Sequence, residues 1–175
     1  MWRAGLAAIV FSLATAGVAS AEPRVSPGDG AVVQPWVEGV DPVLENRLFY
    51  ATYGALQTHN VLKVYVFSAD GYETAGIRFS GRVPHAQRDL TVEELSREAV
   101  ILVRTTFDDF PQVQQLDVWA TIPIAPSEQT SEESTVFSVS ALRSVYDHVS
   151  VRTDVTDLGF LNAFGRVWIA PQVPR

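Results

Sequence analysis

Four side chains on two predicted strands have the types and spacing expected of a binding surface. Tyr65 and Phe67 alternate with valines in one apolar run, and Asp117 and Trp119 alternate with apolar residues in another. Successive side chains of a strand point to opposite faces of its sheet. Val118 is therefore expected to face a buried core, while Trp119 faces away together with Asp117. If the two strands are aligned, Tyr65 and Phe67 lie on the same outer face.

Aromatic rings on an outer sheet face are either covered by other segments of the chain or available to a partner. We expect coverage, because residues 25–37 and 167–173 are rich in apolar side chains and must pack somewhere. Binding of a partner through the four residues above is the best functional hypothesis that the sequence offers.

The three histidines, His59, His85 and His148, are the other candidates for metal binding or acid–base chemistry. They fall at a helix end, in a loop and beside Asp147, and no two have the spacing of metal ligands on one element. Asp147 and His148 with a distant serine would make a small hydrolase, but no G-x-S-x-G motif marks a nucleophile. We predict no metal site, no cofactor and no catalytic residue.

The adjacent carboxylates Asp108 and Asp109 are of a type suited to acid–base work or to calcium binding. They also lie at the predicted C-terminal end of a helix, where the helix dipole disfavours negative charge. Such a conflict marks either a functional site or a carboxylate explained by an arginine partner. The acidic loop 127–133 lacks the alternating acids and the glycine of an EF-hand.

The acidic balance of the chain excludes several classes of partner. Asp and Glu number 20 against 13 Lys and Arg, the net charge is −7, and Lys63 is the one lysine. Such a chain has no electrostatic footprint for nucleic acid or anionic lipid. The absence of cysteine excludes thiol catalysis, disulfides and cysteine-based zinc sites.

The first residues have the organisation of an export signal. Arg3 precedes an uncharged, mostly apolar run over residues 5–18, and Ala19-Ser20-Ala21 is a small-x-small cleavage site. The alternative, a membrane anchor, needs about 20 apolar residues, and the run is shorter. We predict a signal peptide over residues 1–21, a Pro/Gly-rich extended leader over 22–40 and a single domain over 41–175. The protein is then periplasmic or extracellular and free of the membrane after cleavage.

The elements that position these residues follow from local signals. Thr91 and Glu94 form a capping box at the start of a helix, whose apolar residues recur every three or four positions up to Phe107. Pro111 ends it, and an alternating strand follows from Val113. An earlier helix begins at Asp41-Pro42 and leads to strands at 61–67 and 74–83, joined by an Asp-Gly turn.

A run rich in β-forming residues at 134–142 completes a second helix–strand–strand unit. Two such units in tandem predict an α+β fold, with an antiparallel sheet of about four strands and both main helices on one face. Residues 145–152 are ambiguous between strand and turn, a short helix is expected over 158–164, and 167–171 form a short strand or a strap. The tandem order loosely resembles small envelope modules such as the GerMN-type domains of germination and sporulation, a resemblance of element order without a shared motif.

These observations lead to two functional hypotheses. The first is an exported, soluble, non-catalytic module of the bacterial cell envelope that binds a protein partner or a small ligand. The alternative is a small secreted hydrolase whose carboxylate and histidine come from distant segments. The oligomeric state does not follow from the sequence.

Overall fold

The computed structural model describes most of the chain from residue 39 onward. The described residues are 39–56, 60–69, 72–83, 85–86, 88–123, 133–152 and 154–175, and all of them belong to one compact unit. The predicted signal peptide, almost all of the predicted leader, the Asp-Gly turn and His59 lie outside the described residues.

The chain has an α+β fold built from two helix–strand–strand units and a C-terminal extension. The elements in order are α1 (Pro42–Leu56), β1 (Val61–Ala69), β2 (Tyr72–Ser80), α2 (Val92–Asp109), β3 (Val113–Pro123), β4 (Glu133–Leu142), α3 (Arg143–Val149), α4 (Asp157–Asn162) and β5 (Trp168–Ile169). The predicted order of the first six of these elements, from α1 to β4, is confirmed, and the extension adds a fifth strand.

The sheet is mixed, which corrects the prediction of an antiparallel sheet of about four strands. Its five strands follow chain order, β1-β2-β3-β4-β5. The pairs β1–β2, β3–β4 and β4–β5 are antiparallel, whereas β2 and β3 run parallel. The reason is the connection, because a crossover through a helix brings the next strand back in the same direction. The prediction counted the two hairpins and overlooked the α2 crossover between them.

Helix α2 is the central element of the packed core, as its sequence predicts. The Thr91 hydroxyl accepts from the Glu94 N–H, and the Glu94 carboxylate accepts from the Thr91 N–H, so the capping box is present. All five residues of its predicted apolar face are buried: Leu95, Ala99, Leu102, Val103 and Phe107. Together with α1 and the inward side chains of β1 to β4, these residues form one hydrophobic cluster.

Helix α1 begins at the predicted cap. The Asp41 carboxylate accepts from the N–H groups of Val43 and Leu44 at 3.0 and 2.9 Å, as expected of an N-terminal aspartate. Just before it, the Gly39 carbonyl accepts from the Ser68 N–H at 2.8 Å, so the chain enters the domain along the outer edge of β1. None of the described helices is both long enough and apolar enough to span a membrane.

The C-terminal third contains an unpredicted helix. Residues 143–149 form α3, where the sequence was ambiguous between strand and turn. Helix α4 begins at Asp157, close to the predicted start, and is capped by Thr156, whose hydroxyl accepts from the Gly159 N–H. Gly165 follows with a φ of 133°, a backbone conformation that glycine adopts without strain.

Candidate functional site

The sheet face turned away from α1 and α2, here called the far face, carries the predicted binding residues. Alternate residues of β1 and β3 are buried on the helix side, including Val64, Val66 and Val118. Tyr65 and Trp119 alternate with them and are half-buried. The predicted placement of the two rings on one outer face agrees with the structure.

Tyr65 and Trp119 form a stacked pair at the centre of the far face. Their ring centroids lie 6.1 Å apart with an interplanar angle of 16°, although β2 separates their strands. Gly76 makes this contact possible, because it lies opposite Tyr65 on one side and Asp117 on the other. A Cβ at Gly76 would lie 3.1 Å from the Trp119 ring. The glycine therefore provides the space in which the indole lies across the middle strand.

Polar groups surround the stacked pair. Lys63 Nζ lies 4.5 Å from the Tyr65 ring centroid, within the range of a cation–π contact. The Asp117 carboxylate accepts from the Ser140 hydroxyl at 2.5 Å. Lys63 and Asp117 therefore place both charge signs beside the stacked pair.

Arg78 lies directly beside Trp119 in the sheet and is incompletely paired. Its Nη1 donates to Glu133 at 2.7 Å, and Glu133 also accepts from the Thr121 hydroxyl at 3.1 Å. The Arg78 Nε is buried and has no hydrogen-bond partner among the described residues. An unsatisfied buried donor is costly, so this N–H is an unfavourable group unless an acceptor outside the described residues reaches it.

Apolar side chains at the margins extend the far face. Phe67 lies at the outer edge opposite Thr74 and is 55% exposed, and Leu142 at the end of β4 is 43% exposed. Trp168 of β5 lies opposite Ser138, which is itself opposite Trp119. Paired residues in neighbouring strands point to the same face, so Trp168 adds a third aromatic side chain in line with Trp119.

The C-terminal segment does not cover the far face, contrary to expectation. It pairs with the edge of β4 through Trp168–Ile169, and then Ala170 and Val173 are buried in the core on the helix side. The Val92 N–H of α2 donates to the Pro174 carbonyl at 2.8 Å. The other segment expected to cover this face, residues 25–37, lies outside the described residues.

Three residues of this face were missed by sequence reasoning. They are Gly76, Arg78 and Trp168. The signal for Gly76 was available, because a glycine inside a strand often marks a close approach by another group. Arg78 and Trp168 gave no comparable signal, since their proximity to Trp119 depends on the order of the strands.

One carboxylate of the Asp108–Asp109 pair, that of Asp108, has a structural partner. Asp108 accepts from the Tyr146 hydroxyl at 2.6 Å. Burial of the phenol raises the pKa of Tyr146, and the hydrogen bond to Asp108 raises it further. Arg143 supplies positive charge at the same end of α2 by donating to the Phe107 and Phe110 carbonyls. Arg143 therefore places positive charge near this acidic helix end, although the described ion pairs include none between an arginine and Asp108 or Asp109.

The described histidines are not brought together. His148 Nδ1 lies 2.6 Å from the Ser144 carbonyl one turn earlier in α3, and Asp147 has Arg143 at 4.0 Å. His85 lies in a loop with a φ of 58°. In the ranges that the structure describes, no group of three or more His, Asp or Glu side chains is arranged to hold a metal ion. The triad imagined for Asp147 and His148 has no described serine nucleophile at the imidazole.

Glu98 on α2 is a carboxyl group with a strongly raised pKa. Burial raises its pKa from 4.5 to about 7, an effect that a hydrogen bond from Asn60 partly offsets and the charge of Glu94 increases. The Asn60 contact is long, at 3.5 Å, and Glu98 Oε2 is buried with no partner among the described residues. In contrast, hydrogen bonding to Arg88 holds the pKa of Glu94 down at about 2.

We expect the stability of the protein to decrease between pH 4.5 and pH 7 because of Glu98. Its folded-state pKa lies above its ordinary value, so the stabilising contribution is complete below pH 4.5 and is lost as the pH rises through about 7. After allowance for partial solvent screening, the loss is about 1 to 2 kcal/mol. Urea unfolding at pH 5 and pH 8 measures it. Glu98→Gln should flatten this part of the profile.

Glu94→Gln is the matched control for this pH dependence. The pKa of Glu94 is lowered, so its contribution is present above pH 4.5 and is lost as the pH falls toward about 2. The substitution should therefore leave most of the change between pH 5 and pH 8 in place, because the charge of Glu94 is the smallest of the effects on the pKa of Glu98 and burial is the largest. An unaltered profile in Glu98→Gln would contradict the assignment.

Comparison of this chain with protein-family models, with curated proteins and with solved structures finds no match.

Proposed function

We propose that this chain is an exported, non-catalytic module of the bacterial cell envelope that binds a protein partner through its far face. The observation that carries the proposal is the stacked Tyr65–Trp119 pair, half-buried at the centre of a sheet face that the C-terminal segment leaves uncovered. Export is supported by the sequence pattern of residues 1–21.

The shape of the surface favours a protein over a small molecule. Small ligands occupy concave pockets, whereas the far face is one side of a five-stranded sheet. Tyrosine, tryptophan and arginine are enriched among the residues that dominate protein–protein binding, and they cluster near the centre of an interface. Tyr65, Arg78 and Trp119 lie next to one another near the middle of the far face.

The net charge of −7 bears on the chemistry of the partner. It disfavours polyanions on the far face. The exposed Phe67 and Leu142 at the margins favour an apolar contact surface on the partner.

The first test is whether Trp119 is accessible in the protein after removal of residues 1–21. The Trp119 signal is the difference in fluorescence between wild type and Trp119→Phe, since the other tryptophans are common to both. We expect acrylamide to quench this difference signal. Protection from acrylamide would mean that the face is covered, and the proposal would fail.

Substitution of the central glycine provides a sharper test. In Gly76→Val the new side chain would occupy the space of the Trp119 ring, so we expect the indole to be displaced and its emission to shift to longer wavelength. The control is Gly54→Val on α1, where a Cβ meets no atom within 4 Å. Equal Trp119 emission in the two variants would contradict the role of Gly76.

Partner capture then tests the function itself. Immobilised wild-type protein and two variants are exposed to an envelope extract, and the bound proteins are compared. Tyr65→Ala should lower the affinity for a specific partner about tenfold, which corresponds to a loss of about 1.4 kcal/mol of binding free energy. Tyr50→Ala is the matched control, because Tyr50 is 68% exposed but lies on α1. A partner held equally by both variants does not bind the far face.

The alternative, a small hydrolase, has less support. Its candidate residues Asp147 and His148 contact Arg143 and the Ser144 carbonyl, arrangements that stabilise α3.

A further inference from the structure

A cleft of about 880 Å³ opens between the first turn of α2, the start of α4 and the C-terminal segment. It shares no residue with the far face. Most of its lining is aliphatic, and the principal side chains are Val92, Val155, Leu158, Ile169 and Val173. Pockets for small molecules typically measure about 300 to 1,000 Å³, so the cleft has the size of a ligand site.

Three uncharged polar groups that line the cleft already have partners within the protein. The Ser96 hydroxyl donates to the Val92 carbonyl at 2.7 Å, and the Val92 N–H donates to the Pro174 carbonyl at 2.8 Å. The Thr156 hydroxyl accepts from the Gly159 N–H at 3.1 Å. A polar ligand would give up its hydrogen bonds to water without replacing them here. The interior therefore favours an apolar molecule.

The charged residues that line the cleft do not favour an anion. They are Arg175, the exposed Glu93 and the half-buried Asp157, and Glu93 has its own ion pair with Arg97 at 2.8 Å. With a net charge of −7 on the whole chain, an anionic ligand enters against the field of the protein. An uncharged molecule with the same apolar body avoids that cost.

We propose that this cleft binds an uncharged, mostly apolar small molecule. This site is separate from the proposed binding of a protein on the far face, and either can exist without the other. Leu158 is the residue to test, because it lies half-buried in the wall at the start of α4.

Two fluorescent dyes test both the site and the class of ligand. N-phenyl-1-naphthylamine is uncharged, and 1-anilinonaphthalene-8-sulfonate has the same ring skeleton with an added sulfonate. We expect the uncharged dye to bind the protein with a rise in fluorescence, and the sulfonate to bind at least about tenfold more weakly. Leu158→Glu should weaken binding of the uncharged dye by about tenfold or more, because the new carboxylate would lie against an apolar wall.

Leu142→Glu is the matched control, since it makes the same substitution at an exposed position on the far face. It should leave binding of the uncharged dye unchanged, and so should Trp119→Ala. Equal binding by Leu158→Glu and Leu142→Glu would overturn the site, and equal or tighter binding of the sulfonate would overturn the ligand class. Loss of dye binding in Trp119→Ala alone would place the dye on the far face instead.

A second variant keeps the test decisive if Leu158→Glu fails to fold, as judged by circular dichroism. Leu158→Trp keeps the wall apolar and fills part of the cleft. This variant should also weaken binding of the uncharged dye. Binding as tight as that of wild type in a folded Leu158→Trp protein would overturn the proposal.

Discussion

Replacement of Arg143 by alanine is expected to lower the free energy of unfolding by about 3 kcal/mol or more. The Arg143 side chain is only 14% exposed. Its Nε donates to the Val113 carbonyl at 2.7 Å, and its Nη2 donates to the Phe107 and Phe110 carbonyls at 2.9 and 2.8 Å. Hydrogen bonds from a charged donor contribute more than neutral ones, and truncation leaves these carbonyls without that donor.

The geometry of the guanidinium group, and not only its charge, should account for the loss. The guanidinium also lies 4.8 Å from the Phe107 ring centroid. Arg143→Lys keeps the charge but cannot reach several carbonyls with one planar fork, so it should recover only part of the stability. Arg97→Ala removes an exposed ion pair with Glu93 and should cost below about 1 kcal/mol. Equal losses of unfolding free energy in Arg143→Ala and Arg97→Ala, measured by urea unfolding, would contradict this assignment.

Phe137→Ala is expected to destabilise the protein by about 3 to 5 kcal/mol. Phe137 is fully buried in β4 and meets Phe79 of β2 edge-to-face at a centroid distance of 6.4 Å. Alanine would remove the ring contacts and leave a cavity that close-packed neighbours fill only in part. Thermal or urea unfolding measures the difference.

The same substitution at Phe67 is its control. Phe67 also lies in the sheet but is 55% exposed, so Phe67→Ala should change stability by less than about 1 kcal/mol. Equal losses in the two variants would mean that Phe67 is buried by a segment of the chain outside the described residues. In that case the margin of the far face would be closed.

The parts of the fold predicted from sequence depend on contacts within a few residues. The capping box of Thr91 and Glu94 is local, and so is the aspartate cap of α1. The parallel β2–β3 pair was missed because the strand direction depends on the crossover through α2. Helix α3 was missed because residues 143–149 are held by contacts with α2, such as those of Arg143 and Tyr146, which the local sequence does not show.

The far face was predictable only as far as it depends on neighbours within a few residues along each strand. Alternation along each strand placed Tyr65 and Trp119 on one side of the sheet. Their contact could not be predicted, because it passes over Gly76 on a third strand. The position of the C-terminal segment was also beyond local rules, since its packing depends on the edge of β4 and the start of α2.

The parallel pairing of β2 with β3 has a consequence for how the molecule assembles. Each helix–strand–strand half contains an antiparallel hairpin of neighbouring strands, and hairpins of this kind form within microseconds. Joining the halves requires contacts distant in sequence, which slow folding. Tyr65 belongs to one half and Trp119 to the other, so their stacking forms only when the halves join. We therefore expect the Trp119 emission to report the late, slow phase of refolding, and a partner bound across both rings to slow the separation of the halves.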